Sequence, residues 1–231
     1  KINKMGTLKN IEVKGKVFPL DFEVGWIFGA YLSEGNIQGG QIGITNISEY
    51  FETRCKIFAN RFGGKIRKTE YEHQIYGVGK FYKSLTTYIT GLNDFGRYLA
   101  DKCGSGSGNK SVPAFALFAP DIFVSGLLRG YFDGDCNVNE SRQLIRVSSI
   151  SRNLIETVAL LLSRFGIFGT ISTETKNTKR SAGENINPLI SYVLLRKHAQ
   201  SFLDNVGSDF PKKISAIKSI IAYNNRKNVQ S

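Results

Sequence analysis

Asp21-Phe-Glu-Val-Gly-Trp-Ile-Phe-Gly-Ala-Tyr-Leu-Ser-Glu34, preceded by Pro19 and followed by Gly35, decides the reading of this chain. Pro19 and Asp21 are helix-start signals, Glu23 complements the positive N-terminus, and Gly35 permits termination. The segment is apolar on nearly every side, so a helix here must be buried on every side. A second such segment, Asp121 to Asp135, follows Pro120 in the same manner. Each predicts a helix roughly 20 Å long.

The two segments belong to an internal repeat. Gly29-Ala-Tyr-Leu-Ser-Glu34 recurs as Gly130-Tyr-Phe-Asp-Gly-Asp135, 101 residues later. Ile44-Thr-Asn-Ile-Ser48 and Arg61-Phe-Gly63 recur 103 residues later as Val147-Ser-Ser-Ile-Ser151 and Arg164-Phe-Gly166. Gly104 followed by Lys110 has a counterpart in Gly207 followed by Lys213. Each copy reads as an apolar helix, two strands, an amphipathic helix, more strand and a closing helix. The middle helices show their 3.6-residue period in Tyr50, Phe51, Cys55, Phe58, Ala59 and Phe62, and in Leu154, Val158, Leu161, Leu162 and Phe165; Gly63-Gly64 and Gly166 supply left-handed stops. Strands are expected at Gln41–Asn46, Lys65–Thr69, Gln74–Val78, Leu144–Ser149, Thr170–Thr173 and Ile190–Leu195. The expected division is a tail over 1–16, one repeat over 17–108 and another over 109–231, with Gly104-Ser-Gly-Ser-Gly108 as linker. Ser172 to Pro188 is a polar insertion expected to form a loop. A last amphipathic helix carries Ile214, Ile217, Ile220 and Ile221.

Gly29 with Ser33, and Gly130 with Gly134, are small residues four apart at matching repeat positions, which predicts close packing of the two apolar helices. Glu34 and Asp135 then end their helices, where the macrodipole is negative and an anion costs about 0.3 to 1 kcal/mol. Parallel helices about a pseudo-twofold axis would bring the two acids side by side, and two adjacent carboxylates do not both ionise cheaply. A divalent cation resolves the conflict, and two carboxylates with waters and phosphate oxygens suit Mg²⁺ or Mn²⁺. Asp133 falls about 200° round its helix from Asp135, opposite Leu32 in the repeat, and is read as structural.

The chain has 231 residues, 41% of them hydrophobic and five of them proline, which excludes fibrous and disordered classes. A net charge of +12 makes a polyanion the default partner, with nucleic acid ahead of a membrane surface. Cys55, Cys103 and Cys136 lie too far apart for a zinc or disulfide framework. No apolar run reaches the roughly 18 residues of a membrane span. A soluble, intracellular protein is expected. His73 and His198 lack spaced partners, Trp26 reads as core, and no Ser-His-Asp order or phosphate-binding glycine loop is present.

Ile27-Phe-Gly-Ala-Tyr-Leu-Ser-Glu-Gly35 and Leu128-Arg-Gly-Tyr-Phe-Asp-Gly-Asp-Cys136 resemble the paired motifs of LAGLIDADG homing endonucleases, with Cys136 where glycine is usual. The resemblance runs from Val17 to Tyr223. It implies an α+β fold of two pseudo-symmetric αββαββα repeats packed through the motif helices, with saddle-shaped antiparallel sheets facing DNA. It implies Glu34 and Asp135 as metal-binding catalytic acids. Asn109-Lys-Ser-Val-Pro113 resembles the lysine block of intein-type members, which implies Lys110 as a catalytic lysine; Lys213 or Lys212 is its counterpart, with Lys213 the better fit to the spacing. The implied activity is a staggered double-strand break, made by a monomer, in a long asymmetric target. Base and phosphate contacts are expected from Gln38, Gln41, Lys65, Arg67, Gln74, Lys80, Arg142, Arg146 and Arg196 on strands, and from Lys176, Lys179 and Arg180 on the insertion. The alternatives are an RNA-binding intron maturase and a non-cleaving DNA-binding regulator of the same fold. Lys1 and Gln230-Ser231 are not the residues of a self-splicing junction, so a self-splicing chain is not expected, although excision from a longer product or an intron origin is compatible.

Overall fold

In the computed structural model the described residues are 8–74, 81–175, 179–180, 183–184 and 188–228. The first element is a hairpin of β1 (Asn10–Val13) and β2 (Lys16–Pro19), turned by Lys14 and Gly15, both at positive φ. β1 and the turn lie within the stretch read as a tail, β2 runs on past its end at residue 16, and the hairpin is N-terminal to the first motif. Helix α1 (Phe22–Glu34) follows, and its first turn is capped by the Asp21 carboxylate, which accepts from the Val24 amide at 3.2 Å.

β3 (Gly35–Gln38), β4 (Gln41–Thr45), α2 (Glu49–Arg61), β5 (Lys65–Gln74), β6 (Phe81–Thr90) and α3 (Asn93–Cys103) complete the first repeat. The second comprises α4 (Asp121–Asp135), β7 (Cys136–Asn139), β8 (Leu144–Ser149), α5 (Arg152–Ser163), β9 (Gly169–Thr175), the short pair β10 (Lys179–Arg180) and β11 (Gly183–Glu184), β12 (Pro188–Leu194), α6 (Ala199–Asn205) and α7 (Pro211–Asn228). The antiparallel sheets have equivalent orders, β3-β4-β6-β5 and β7-β8-β12-β9. Each repeat is therefore αββαββα, with β10 and β11 inserted in the second and α7 added after it. The insertion expected to be a loop is strand at both ends.

The periodic middle helices end as expected. Gly63 and Gly166 have φ of 72° and 68°, and the next amide reaches back five residues in each repeat, Gly64 to the Ala59 carbonyl and Ile167 to that of Leu162. Gly35 behaves differently from that rule: its φ is −92°, so no left-handed residue ends α1. Glycine is needed there for space, since a Cβ would stand 2.4 Å from the Tyr31 Cα. Cys136, the matching residue, begins β7 and is not at positive φ, so the backbone there accepts a side chain.

The expected strand Gln74–Val78 is not an element of its own: Gln74 closes β5, and 75–78 lie outside the described residues. The partner of β5 is instead β6, paired with it antiparallel from Lys65 opposite Thr90 to Gln74 opposite Phe81.

By contacts the chain divides into two compact units, one of residues up to 105 with 113–134, the other of 106–112 with the chain from 135 onward. In the first, Phe28 of α1 lies 5.9 Å from Phe95 of α3 and 5.6 Å from Phe123 of α4, while Phe18 of β2 stacks on Phe95 at 4.3 Å. Trp26 is core, 1% exposed and edge-on to Phe51. In the second, Ile145, Val147, Ile190, Tyr192 and Leu194 bury one sheet face, beside the buried stripe Leu154, Val158, Leu161 and Leu162 of α5.

Candidate nucleic-acid interface and metal-binding acids

Helices α1 and α4 cross with their backbones in contact. A Cβ at Gly25 would stand 2.1 Å from the Phe123 carbonyl oxygen, and one at Gly29 would stand 2.0 Å from that of Leu127. Reciprocally, a Cβ at Gly126 would be 2.1 Å from the Phe22 oxygen, and one at Gly130 would be 2.4 Å from that of Trp26. The contact pairs advance together along both helices, so the helices are parallel, and each contact is matched by its repeat-related partner. Sequence reading found Gly29, Ser33, Gly130 and Gly134. It missed Gly25 and Gly126, which were detectable because they stand 101 residues apart like the motifs themselves.

The packing continues to the motif ends. Ser33 Oγ lies 3.4 Å from the Gly130 carbonyl, and a Cβ on Gly134 would meet Ser33 Oγ at 2.3 Å and Glu34 Cγ at 3.0 Å. Glu34, half-buried, is thus set against the penultimate residue of α4, whose last residue is the exposed Asp135. Asn46 Nδ2 donates to Glu34 Oε1 at 3.2 Å, which orients the carboxylate. Asn46 was not singled out from the sequence; its signal was its place in the repeated Ile44–Ser48 block. Its Oδ1 accepts from the Ser48 amide at 2.9 Å, as Ser149 Oγ accepts from Ser151 at 3.1 Å, so the block makes the same turn twice before α2 and α5. Asp133, read as structural, is buried, 3% exposed.

Lys110 is only 6% exposed; its carbonyl accepts from Ser151 Oγ, the N-cap of α5, at 2.8 Å. Lys213 is half-buried in the first turn of α7 with its ammonium 5.3 Å from the Phe210 ring, whereas Lys212 is exposed. Among the described residues no three His, Cys, Asp or Glu side chains gather as a metal cluster. A cavity of about 520 Å³ lies in the second unit, lined by Leu195, Arg196, Lys197, Gln200, Ile221, Asn224 and Asn225, and includes none of the proposed acids or lysines.

The ion pair of Lys68 with Glu52 of α2, at 3.1 Å, puts even-numbered β5 residues on the helix side of their sheet. Lys65 and Arg67 therefore face the other way, as do their row neighbours Gln41 and Gln38. In the second sheet, Arg152 of α5 donates to Thr173 at 2.8 Å, which fixes the helix side there and leaves Arg146 on the opposite face. Two expected strand residues are not on strands. Arg142 sits in the β7–β8 turn, its amide bound to Asn139 Oδ1 at 2.8 Å. Arg196 sits in a 3-10 turn past β12, where it donates to Gln143 Oε1 at 2.8 Å, because β12 stops at Leu194. Gln74 ends β5, and Lys179 and Arg180 form β10; Lys80 and Lys176 lie outside the described residues. No helix among the described residues is long and apolar enough to cross a membrane.

Residues 123–207 match the family model of a LAGLIDADG-like domain. Over 217 residues the chain is 32% identical to the DNA-directed RNA polymerase subunit Rpo1C of Methanocaldococcus jannaschii, a match covering 91% of this chain and 23% of that protein. The chain thus spans about a quarter of that relative's length. In fold it resembles the homing endonuclease I-WcaI bound to its DNA recognition sequence, with a TM-score of 0.58, 11% identity, and coverage of 84% of this chain and 86% of that one. It also resembles I-DmoI in complex with DNA and Mn, with a TM-score of 0.51, 12% identity, and coverage of 83% and 99%. The doubled motif, the two αββαββα repeats and the glycine-to-carbonyl crossing of α1 on α4 agree with these matches: residues 123–207 are a LAGLIDADG-like domain, and the chain shares the fold of these endonucleases with both repeats in one polypeptide.

Proposed function

We propose that this protein is a divalent-metal-dependent endonuclease that makes a staggered double-strand break in a long, asymmetric DNA target. The reading is carried by the reciprocal crossing of α1 and α4, which runs the length of both motifs to Ser33 and Gly134, next to the two acids. Glu34 and Asp135 are the proposed metal-binding and catalytic carboxylates. Hard oxygen donors, with no histidine or cysteine cluster beside them among the described residues, fit Mg²⁺ or Mn²⁺. When bound, such ions supply an activated water and stabilise the leaving oxygen. Mn stands in the I-DmoI complex, and DNA in both solved relatives, which supports the same ligands here.

The chain's own residues do the rest. Asn46 holds the Glu34 carboxylate by donating to Oε1. Lys110 and Lys213 are assigned to charge developing on the scissile phosphate; a lysine held nearly out of water, as Lys110 is, interacts more strongly with such charge than an exposed one. The sheet faces bearing Gln38, Gln41, Lys65, Arg67 and Arg146 take the DNA. They differ in composition, so the target is not a palindrome. One chain already supplies both motif helices, so a monomer suffices, organised as repeats over 17–108 and 109–231. The relative Rpo1C is four times longer than the match, which supports a nuclease embedded in a larger product, as in an intein.

Digestion of a randomised plasmid library with Mg²⁺ or with EDTA, followed by sequencing of the ends, tests the reading. Staggered ends at one long sequence, in Mg²⁺ alone, are expected. Cutting in EDTA would sink the metal mechanism, and binding with no cutting anywhere would favour a maturase or regulator.

A further inference from the structure

Asn36, Gly43, Tyr88 and Arg67 lie opposite one another in a single row across all four strands of the first sheet. Gly43 makes that row flat. A Cβ there would fall 2.6 Å from Asn36 Oδ1 and 3.0 Å from Tyr88 Cε1, so the amide and the phenol ring fill the space a side chain would take. Arg67 stacks on the ring, with its guanidinium carbon 4.4 Å from the centroid. One terminal nitrogen donates to Thr69 Oγ1 at 2.8 Å. Arg67 comes from the edge strand β5, yet the stack draws its charge inward over β6. The Tyr88 hydroxyl is anchored in turn, by a hydrogen bond with Tyr71 and a 3.5 Å contact with Gln38 Oε1.

Two features separate this group from an ordinary surface cation. Lys68, one residue on, points to the helix side and is neutralised by Glu52, whereas Arg67 is exposed with no carboxylate at ion-pair distance among the described residues. Its planar fork is also already oriented by the ring and by Thr69, so little side-chain freedom remains to be lost on contact. Only one of five N–H donors is used there, which leaves an edge able to make two parallel bonds. A flexible cation at a sheet rim suits a phosphate; a fixed fork over the sheet interior suits the O6 and N7 acceptors of guanine in the major groove.

We infer that Arg67, held on the Tyr88 ring above Gly43, reads one guanine of the target and sets specificity at that base pair. This rests on the DNA-cleaving reading above. The experiment is selection of bound duplexes from a random double-stranded library by the full chain in Ca²⁺, repeated with Arg67→Lys and Arg67→Ala. Affinities of single-base variants of the selected site are then measured.

With the unaltered chain, one position should prefer guanine by about 5- to 150-fold, the span expected of a bidentate pair. Arg67→Lys should flatten the preference there and nowhere else, because an ammonium cannot reproduce the fork. If both variants weaken binding to every sequence alike and lower the salt dependence by about one ion, Arg67 is a phosphate contact and the assignment fails. Unchanged preferences would also overturn it, leaving the nuclease reading intact. Failure of the unaltered chain to enrich any sequence would overturn both.

Discussion

Gly29 and Leu127 touch through their backbones: a single methyl group at residue 29 would stand 2.0 Å from the Leu127 carbonyl oxygen. That oxygen is helix backbone and cannot swing away. Gly29→Ala should therefore cost at least about 3 kcal/mol, the upper range for overpacking, and lower the denaturation midpoint sharply. Gly130→Ala should behave likewise through Trp26. Gly108→Ala, where a Cβ would meet Ile150 at an ordinary 3.5 Å, is the control and should change the midpoint little.

Glu34→Gln and Asp135→Asn remove charge with almost no change of shape. Each should leave DNA affinity near that of the unaltered chain and abolish double-strand breaks, as read by fluorescence anisotropy beside plasmid linearisation. Asn46→Ala leaves both acids in place but removes one hydrogen bond to the Glu34 carboxylate, so cutting should slow without vanishing.

Lys110→Met keeps the apolar stem in its buried place and deletes the ammonium, while the backbone bond to Ser151 persists. If the charge acts on the scissile phosphate, the cleavage rate should fall about 100-fold or more with binding preserved. Lys212→Ala, at an exposed site, should be close to neutral, and Lys213→Ala should resemble Lys110→Met. A loss of melting temperature with unchanged cleavage per folded molecule would make Lys110 a structural residue.

Burial raises the Cys55 thiol from 9.0 to about 12, and the Tyr31 and Tyr192 hydroxyls from 10.0 to about 12. The folded state keeps these protons where the unfolded chain releases them. Their contribution is complete below about pH 9 and is lost as pH rises towards 12, so urea midpoints should fall through that window. Cys55, Cys103 and Cys136 are all buried, and Ellman's reagent near neutral pH should find them only after unfolding.

Much of the architecture was legible in the chain because it is written twice. Ser48 and Ser151 cap equivalent helices, Gly63 and Gly166 end them, and the motif acids sit in register. What escaped had no repeat or period to announce it. The β1–β2 hairpin precedes the first motif and has no counterpart among the described residues before the second, and β6 reads as a strand only once β5 is there to pair with it. Arg196 fell off its expected strand because the run Ile190–Leu195 does not show where pairing with β8 and β9 stops.

The order of residues alone determined that two apolar helices exist, that each must be covered on all sides, and that each ends in an acid, because these follow from local pattern and burial. Only the tertiary structure decided which backbone atoms meet. Gly25 and Gly126 look like ordinary helix glycines until their Cβ positions are found occupied by carbonyl oxygens 98 and 104 residues away in either direction along the chain. Likewise, nothing near Arg67 in the sequence points to Tyr88 as its platform, because cross-strand neighbours are set by register, a property of the paired chain and not of either strand.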